Sequence, residues 1–224
     1  MKKLITACAL AVPACIIGSK LYFAMYPQAP VLKDGKIRVA CIGDSITQGT
    51  GVKKAKNNSY PAQLQKLLGD DYQVLNYGLN GRSVQKGVMM SYTNERFYKI
   101  SQEIQPNIVV IMLGTNDTMK RNWNAVNYEK DLEAFVQVYQ NLESLPVVYL
   151  MKPPPIYRSW FGHQASVMEN EVILIVQRVA EKLNIQTIDI FTALTNHAEL
   201  FPDGLHPNKD GATVIAKTVY DALI

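Results

Sequence analysis

An unbroken apolar run at residues 108–113 determines the fold class expected of this chain. Six apolar residues in succession, followed at once by Gly114, are typical of a parallel strand covered on both faces. Four further strand-like runs lie at residues 37–42, 73–77, 147–151 and 186–190, and helix-like segments separate them. Strands that alternate with helices predict an α/β fold, in which a five-stranded parallel sheet lies between layers of helices.

The composition indicates one folded domain. The chain has 224 residues, of which 48% are hydrophobic and 19% charged, enough for a single full core. The net charge is +4, but residues 1–30 contain three lysines and no acid, so the rest of the chain is close to neutral. The remaining Lys and Arg are interpreted as a solvated surface without a basic stripe, which argues against nucleic acid as a partner. Cys41 lies in the first strand and is interpreted as a small core residue.

Residues 1–26 resemble an export signal. Lys2 and Lys3 precede an apolar stretch at residues 4–18, and a second apolar stretch follows Lys20. Three outcomes stay open: a retained signal anchor that spans a membrane, a lipoprotein processed at Cys15, and simple cleavage that releases the enzyme. Each outcome predicts an extracytoplasmic location, and the first two also predict attachment to a membrane. Residues 27–36 are predicted to be a linker and residues 37–224 the main domain.

Polar and glycine-rich residues follow all five predicted strands. Ligands of parallel α/β sheets bind beyond the carboxyl ends of the strands, so these positions are expected to meet in one site. In chain order the positions are Asp44 and Ser45, residues 76–83, residues 114–117, residues 152–155, and the pair Asp203 and His206.

Ser45, His206 and Asp203 supply a nucleophile, a base and an acid. A serine hydroxyl needs a histidine to take its proton and a third group to hold that histidine in one tautomer. Asp203 lies three residues before His206, on a loop with Gly204 and Pro207, so its carboxylate is expected to reach the nearer ring nitrogen. The competing interpretation makes Ser45 an N-cap of the helix that follows the first strand.

Ser45, Gly81 and Asn116 are candidate donors for an oxyanion hole. The Ser45 and Gly81 backbone N–H groups and the Asn116 side-chain amide follow three different strands. A plain glycine turn and an Asx turn are the alternatives for Gly81 and Asn116. His163 and His197 have no acid at a comparable spacing and are interpreted as structural. No metal site is expected, because the ligand spacing typical of zinc is absent.

Together these blocks resemble the SGNH, or GDSL-type, hydrolase family over about residues 37–223. The matching blocks are Gly43-Asp44-Ser45, Gly81, Gly114-Thr115-Asn116-Asp117 and Asp203-Gly204-Leu205-His206-Pro207. The resemblance implies a flavodoxin-like three-layer α/β/α sandwich and an ester hydrolase that needs no cofactor. It also implies that Ser45 is the nucleophile, that His206 is the base and then the acid, that Asp203 orients His206, and that Ser45, Gly81 and Asn116 hold the oxyanion.

A finer resemblance, to bacterial carbohydrate acetylesterases of this family, involves Trp123, the prolines at residues 153–155, and Phe201-Pro202. Trp123 is interpreted either as a substrate-binding residue that stacks on a sugar or closes the acyl pocket, or as a tryptophan half-buried under a loop. Three function classes compete: an esterase that removes small acyl groups from a glycan, a lipid-directed esterase, lysophospholipase or thioesterase at a membrane, and a non-catalytic glycan-binding protein. The complete set of motifs argues against the third class.

Overall fold

The computed structural model describes residues 26–159 and 162–224. Five strands form one sheet: β1 (Ile37–Gly43), β2 (Tyr72–Gly78), β3 (Ile108–Met112), β4 (Val147–Lys152) and β5 (Gln186–Asp189). Each neighbouring pair is parallel, and the strand order is β2-β1-β3-β4-β5. The predicted five-stranded parallel sheet is confirmed, with strand bounds within one or two residues of those expected.

Helices connect the strands, as the alternating pattern predicts. The α-helices are α1 (Ser45–Gln48), α2 (Ala55–Asn58), α3 (Tyr60–Leu68), α4 (Arg96–Glu103), α5 (Ala125–Gln140), α6 (Ala165–Val167), α7 (Ile173–Lys182), α8 (Ile190–Leu194) and α9 (Lys209–Leu223). A π-helical turn (Met168–Val172) joins α6 to α7, so the helical segment between β4 and β5 is locally widened. Short 3₁₀ turns lie at Tyr92–Asn94, Asn116–Thr118 and Ala198–Leu200.

The sheet separates two hydrophobic cores. Alternate side chains of a strand point to opposite faces, so Ala40 and Ile42 of β1 enter one core while Val39 and Cys41 enter the other. The first core is completed by α4, α5 and α7, and the second by α3, α8 and α9. This arrangement confirms the three-layer α/β/α sandwich. Cys41 is fully buried, in agreement with its interpretation as a core residue.

The strand order places a crevice beside β1. The chain passes from β1 to β2 on one side and then to β3 on the other, so the segments after β1 and β3 diverge. Gly43 at the end of β1 is in register with Gly78 of β2 and Met112 of β3, so the three strands end at one level. We call this end of the sheet the carboxyl edge and the other end the amino edge.

Residues 26–36 lie along the outer strand β2, and we call them the N-terminal strap. The Lys33 N–H donates to Gln73 Oε1 at 2.9 Å, and Gln73 Nε2 donates to the Val31 carbonyl at 2.7 Å. Further along, the Tyr26 ring centre is 5.2 Å from the guanidinium carbon of Arg82, beyond the end of β2. The segment predicted to be a linker is therefore tied to the domain at Val31 and Lys33, and Tyr26 contacts the domain just before it.

The predicted export segment, residues 1–26, lies outside the described residues except for Tyr26. Within residues 26–159 and 162–224, no helix combines the length and the apolar character that crossing a membrane requires.

Candidate active site

Ser45 opens helix α1 immediately after β1. The N-cap of α1 is Asp44, whose Oδ1 accepts the Ile46 N–H at 2.9 Å, so Ser45 does not cap the helix and its side chain is free for another contact. A Cβ atom at Gly43 would lie 2.8 Å from the Met112 carbonyl oxygen, so only glycine permits this tight turn. Ser45 is 7% exposed, at the carboxyl edge.

The loop after β5 brings Asp203 and His206 to Ser45. His206 Nδ1 is 2.7 Å from Asp203 Oδ2, and His206 Nε2 is 2.9 Å from Ser45 Oγ. Gly204 has a φ of +80°, which glycine adopts without strain, and it turns the chain between the two residues. Nδ1–H donation to the carboxylate leaves Nε2 as an acceptor for the serine proton, which is the arrangement that general-base catalysis needs.

Asp203 is held as a carboxylate. Its other oxygen, Oδ1, accepts the backbone N–H groups of Leu205 and His206 at 2.9 and 2.7 Å. Burial acts to raise the pKa of Asp203, but the hydrogen bonds from His206 and Leu205 outweigh it and lower the pKa below its usual value. A stable carboxylate beside Nδ1 favours the imidazolium that forms when Nε2 takes a proton.

The loop after β2 holds Gly81 with a φ of +76° at the cavity wall. Contacts of Asn80 fix this loop: its N–H donates to Gln48 Oε1 at 2.7 Å, and its Oδ1 accepts from Thr50 Oγ1 at 2.5 Å. Arg82 Nη1 donates to the Asn80 carbonyl at 2.6 Å. The loop that carries Gly81 is therefore tied both to the segment after β1 and to the buried Arg82.

Asn116 follows β3 and completes the cluster. Its Nδ2 donates to the Arg82 carbonyl at 3.0 Å and to Asp44 Oδ2 at 3.2 Å. Its Oδ1 lies 3.4 Å from Nε2 of His163, a residue that is only 3% exposed. These contacts fix the plane of the amide at the wall of the cavity that contains Ser45 and His206.

Two buried carboxyl groups brace the site. Burial raises the pKa of Asp44 and of Asp117 to about 6 in each case, although hydrogen bonds to both groups act in the opposite direction. Asp117 accepts the N–H groups of Val84 and Gln85 at 3.1 and 3.0 Å, which joins the segment after β3 to the loop after β2. The hydrogen bonds of Asp44 and Asp117 therefore help to position the candidate oxyanion donors.

The site opens into a cavity of about 310 Å³. The described residues that line it are Ser45, Thr50, Asn80, Gly81, Asn116, Met119, His163, Asp203, Leu205 and His206. The structure thus brings together all three predicted triad residues and both further predicted oxyanion donors. Met119 and Leu205 contribute the apolar side chains among these lining residues, and most of the exposed surface of the cavity is apolar.

Trp123 is half-buried away from the lining of this cavity. Its Nε1 donates to Glu171 Oε2 at 3.2 Å, and its ring packs against Tyr128 with centres 5.4 Å apart. These contacts match the interpretation of Trp123 as a residue packed under a loop. Contact between Trp123 and substrate stays a prediction.

His163, Arg82 and Asp44 contribute to the site without having been assigned a role from sequence. The interpretation of His163 as a structural histidine needs correction, because its side chain lines the cavity and contacts Asn116. Asp44 carries a detectable signal, since Asp directly before a helix is a common N-cap. Arg82 and His163 have no such signal, because their partners come from other strands.

Within the described ranges, no group of three His, Cys, Asp or Glu side chains is placed to hold a metal ion.

Known proteins are similar to this chain in sequence and in fold. A sequence model of the GDSL-like lipase/acylhydrolase family matches residues 41–214. An acetylxylan esterase from Xylanibacter ruminicola is 33% identical over 213 residues, which cover 87% of this chain but only 44% of that protein. The chain thus spans less than half the length of this relative. A thioesterase 1/protease 1/lysophospholipase L1 from Escherichia coli is 22% identical and is covered over 77% of its length, with 78% of this chain.

Solved structures show the same fold at low sequence identity. A carbohydrate acetylesterase from Sinorhizobium meliloti superposes with a TM-score of 0.70 at 18% identity, covering 84% of this chain and 98% of that chain. An acetylxylan esterase from Geobacillus stearothermophilus gives a TM-score of 0.66 at 23% identity, covering 85% and 95%. The resemblance drawn from the sequence blocks is confirmed: the chain belongs to the GDSL-like lipase/acylhydrolase family.

Proposed function

We propose that this protein is a serine esterase that removes small acyl groups, acetyl in particular, from hydroxyl groups of a carbohydrate. The observation that carries the proposal is the hydrogen-bonded series Asp203–His206–Ser45, with distances of 2.7 and 2.9 Å, at the wall of an open cavity. Gly81 and Asn116 border the same cavity, where donors for an oxyanion are needed.

The reaction passes through an acyl-enzyme. His206 Nε2 takes the Ser45 proton while Oγ attacks the ester carbonyl, and Asp203 stabilises the imidazolium that results. The tetrahedral intermediate collapses, and the alcohol leaves with the proton from His206. Water then attacks the acyl group on Ser45 and passes a proton to His206. Release of the acid returns that proton to Ser45, so the cycle needs no other reactant.

Three donors stabilise the oxyanion in this mechanism: the N–H groups of Ser45 and Gly81 and the side-chain amide of Asn116. Asn116 Nδ2 exchanges its longer contact, 3.2 Å to Asp44 Oδ2, for the oxyanion. The loss of one such donor costs on the order of 100-fold in rate. Hydrogen bonds of Asp44, after β1, and of Arg82, after β2, position these donors in the free enzyme.

The size of the cavity favours a small acyl group over a long lipid chain. A long chain needs an extended apolar channel, whereas the described cavity is about 310 Å³, at the lower end of the usual range for ligand sites. The acetylxylan esterase and the carbohydrate acetylesterase among the similar proteins support the same choice. The alternative is a lipid-directed esterase, lysophospholipase or thioesterase, activities that the name of the similar Escherichia coli protein includes.

An extracytoplasmic location at a membrane is part of the proposal. It is supported by the apolar character of residues 4–26 after Lys2 and Lys3. Lipoprotein processing at Cys15 and secretion after cleavage are the alternatives.

The test uses the full chain in detergent with p-nitrophenyl esters of increasing acyl length, beside acetylated xylo-oligosaccharides. We expect hydrolysis that is fastest for the acetyl ester and falls with chain length, and release of acetate from the sugar. Ser45→Ala should reduce the rate to background without changing the melting temperature. Full activity in Ser45→Ala would overturn the assignment of the nucleophile, and a rate that rises through the octanoyl ester would favour the lipid alternative.

A further inference from the structure

The N-terminal strap leaves the domain at the carboxyl edge, beside the active site. The strap contacts Gln73 near the start of β2 through Val31 and Lys33, and reaches Arg82 through Tyr26. Followed toward the N-terminus, the strap thus runs the whole length of β2 toward Gly81. The apolar stretch that ends at Tyr26 is joined to the domain at this point, with no spacer between them.

Positive charge is concentrated at the same edge. Five segments follow the strands: residues 44–59, 79–95, 113–124, the described parts of 153–164, and 190–208. Those after β1, β2, β3 and β4 expose basic side chains. These side chains are Lys53, Lys54, Lys56, Lys86, Lys120, Arg121 and Arg158. The exposed acid of these segments is Glu199, which is paired with His197.

The amino edge carries the opposite charge. The loops that precede the five strands, residues 33–36, 69–71, 104–107, 141–146 and 183–185, expose Asp34, Asp70, Asp71 and Glu143, and Lys33 is their exposed base. The domain is therefore polarised along its strands. A negatively charged surface attracts the carboxyl edge and repels the amino edge.

Exposed apolar side chains also lie at the carboxyl edge. Met89 is 85% exposed on the loop after β2, next to Met90, whose side chain lies against Gly81. Tyr26 is 43% exposed, and an aromatic ring with a polar end suits the interface between lipid and water. An apolar side chain among lysines and arginines is the composition of segments that lie on anionic lipid.

We propose that the carboxyl edge is held against an anionic lipid surface, so that Ser45 acts on acyl esters of glycans displayed at that surface. The inference rests on the proposed function, and it assigns an orientation and a substrate location to it. Lipid is favoured over an acidic glycan because the apolar stretch of the chain joins the domain at this edge, and because Met89 is exposed beside the lysines.

The orientation can be measured with two matched cysteine variants. Met89→Cys probes the carboxyl edge and Leu145→Cys the amino edge, and the native side chains are similarly exposed, at 85% and 78%. Both variants carry Cys8→Ser and Cys15→Ser. Cys41 stays in place, because burial raises the pKa of its thiol to about 12 and prevents reaction with a maleimide.

The full chain is reconstituted into vesicles of phosphatidylcholine and phosphatidylserine and treated with a membrane-impermeant maleimide. Each rate is divided by the rate of a short peptide with the same residues around the introduced cysteine, because Cys41 would also react in an unfolded chain. We expect the normalised rate at position 89 to be about tenfold below that at position 145, since a side chain at the headgroup level is shielded from water. Equal rates, slower labelling at position 145, or failure of the chain to float with the vesicles would overturn the proposal.

The contribution of charge to attachment is tested with a separate set of variants. Lys53→Gln with Lys56→Gln should weaken attachment of the carboxyl edge about fivefold for each lysine in phosphatidylserine vesicles. Position 89 then becomes more reactive, whereas Lys182→Gln at the end of α7 leaves its rate unchanged. Protection of position 89 by a soluble polyuronate but not by vesicles would assign the face to an acidic glycan and overturn the lipid proposal. Esterase activity is assayed in the same samples, so its absence would count against the proposed function alone.

Discussion

The tautomer of His206 depends on a single carboxylate. Asp203 uses Oδ1 for two backbone N–H groups and Oδ2 for His206 Nδ1. In Asp203→Asn the amide oxygen keeps the backbone contacts, which leaves the NH₂ group facing Nδ1. Nε2 then carries the proton and cannot accept one from Ser45. We expect kcat for p-nitrophenyl acetate to fall by about 10³- to 10⁴-fold at neutral pH, with little change in KM.

A second histidine–carboxylate pair serves as the matched control. His197 Nδ1 lies 2.9 Å from Glu199 Oε1, but both side chains are at least half exposed and outside the cavity. Glu199→Gln should leave kcat within error of the wild type, because an exposed pair contributes little. A comparable loss of activity in both variants would contradict the role given to Asp203.

The loop after β2 is an element whose shape depends on Arg82. This side chain is 1% exposed, is paired with Glu95 at 2.8 Å, and donates to the Asn80 carbonyl, while its own carbonyl accepts from Asn116. Arg82→Lys keeps the charge but loses the planar set of donors. We expect kcat to fall by about tenfold or more with KM preserved, because displaced oxyanion donors matter mainly in the transition state.

Arg178→Lys provides the control for that substitution. Arg178 pairs with Glu129 at 2.6 Å between α7 and α5, and its side chain is 54% exposed. Kinetics and melting temperature of this variant should match the wild type. If Arg82→Lys has a lower melting temperature and regains wild-type activity on cooling, Arg82 has a structural role alone.

At the scale of the whole molecule, the buried carboxyl groups link stability to pH. Burial raises the pKa of Asp117 to about 6, above its ordinary value of 3.8, so the folded protein binds a proton more readily than the unfolded chain between these values. The contribution of Asp117 to the free energy of unfolding therefore increases as pH falls from 7 to 5. Asp203, whose pKa is lowered, loses its contribution only at more acidic pH.

Asp117→Asn isolates this effect. Between pH 7.5 and pH 5, the wild type should gain on the order of 1 kcal/mol in free energy of unfolding relative to the variant. Urea unfolding of both proteins at the two pH values measures the difference, and other titrating groups cancel in the comparison. A difference that stays constant, or that changes in the opposite direction, would contradict the raised pKa.

Local sequence patterns were enough to predict much of the fold and of the candidate site. Residues 108–113 predict a doubly covered strand, and this strand is β3, because an apolar run of that length is stable only inside the sheet. Asp203 and His206 could be paired from sequence because three residues separate them. The contact of Ser45 with His206, 161 positions away, could be predicted only because segments that follow parallel strands meet at one edge.

By itself, the sequence determined the alternation of strands and helices, the family, and the residues that offer a nucleophile, a base and oxyanion donors, since these depend on residue type and local spacing. Only the tertiary structure decided that His163 and Arg82 support Asn116, that residues 26–36 lie against β2, and that dispersed lysines and arginines share one edge. The reason is physical: each of these properties is a proximity between segments far apart in the chain, which packing creates and no local pattern records.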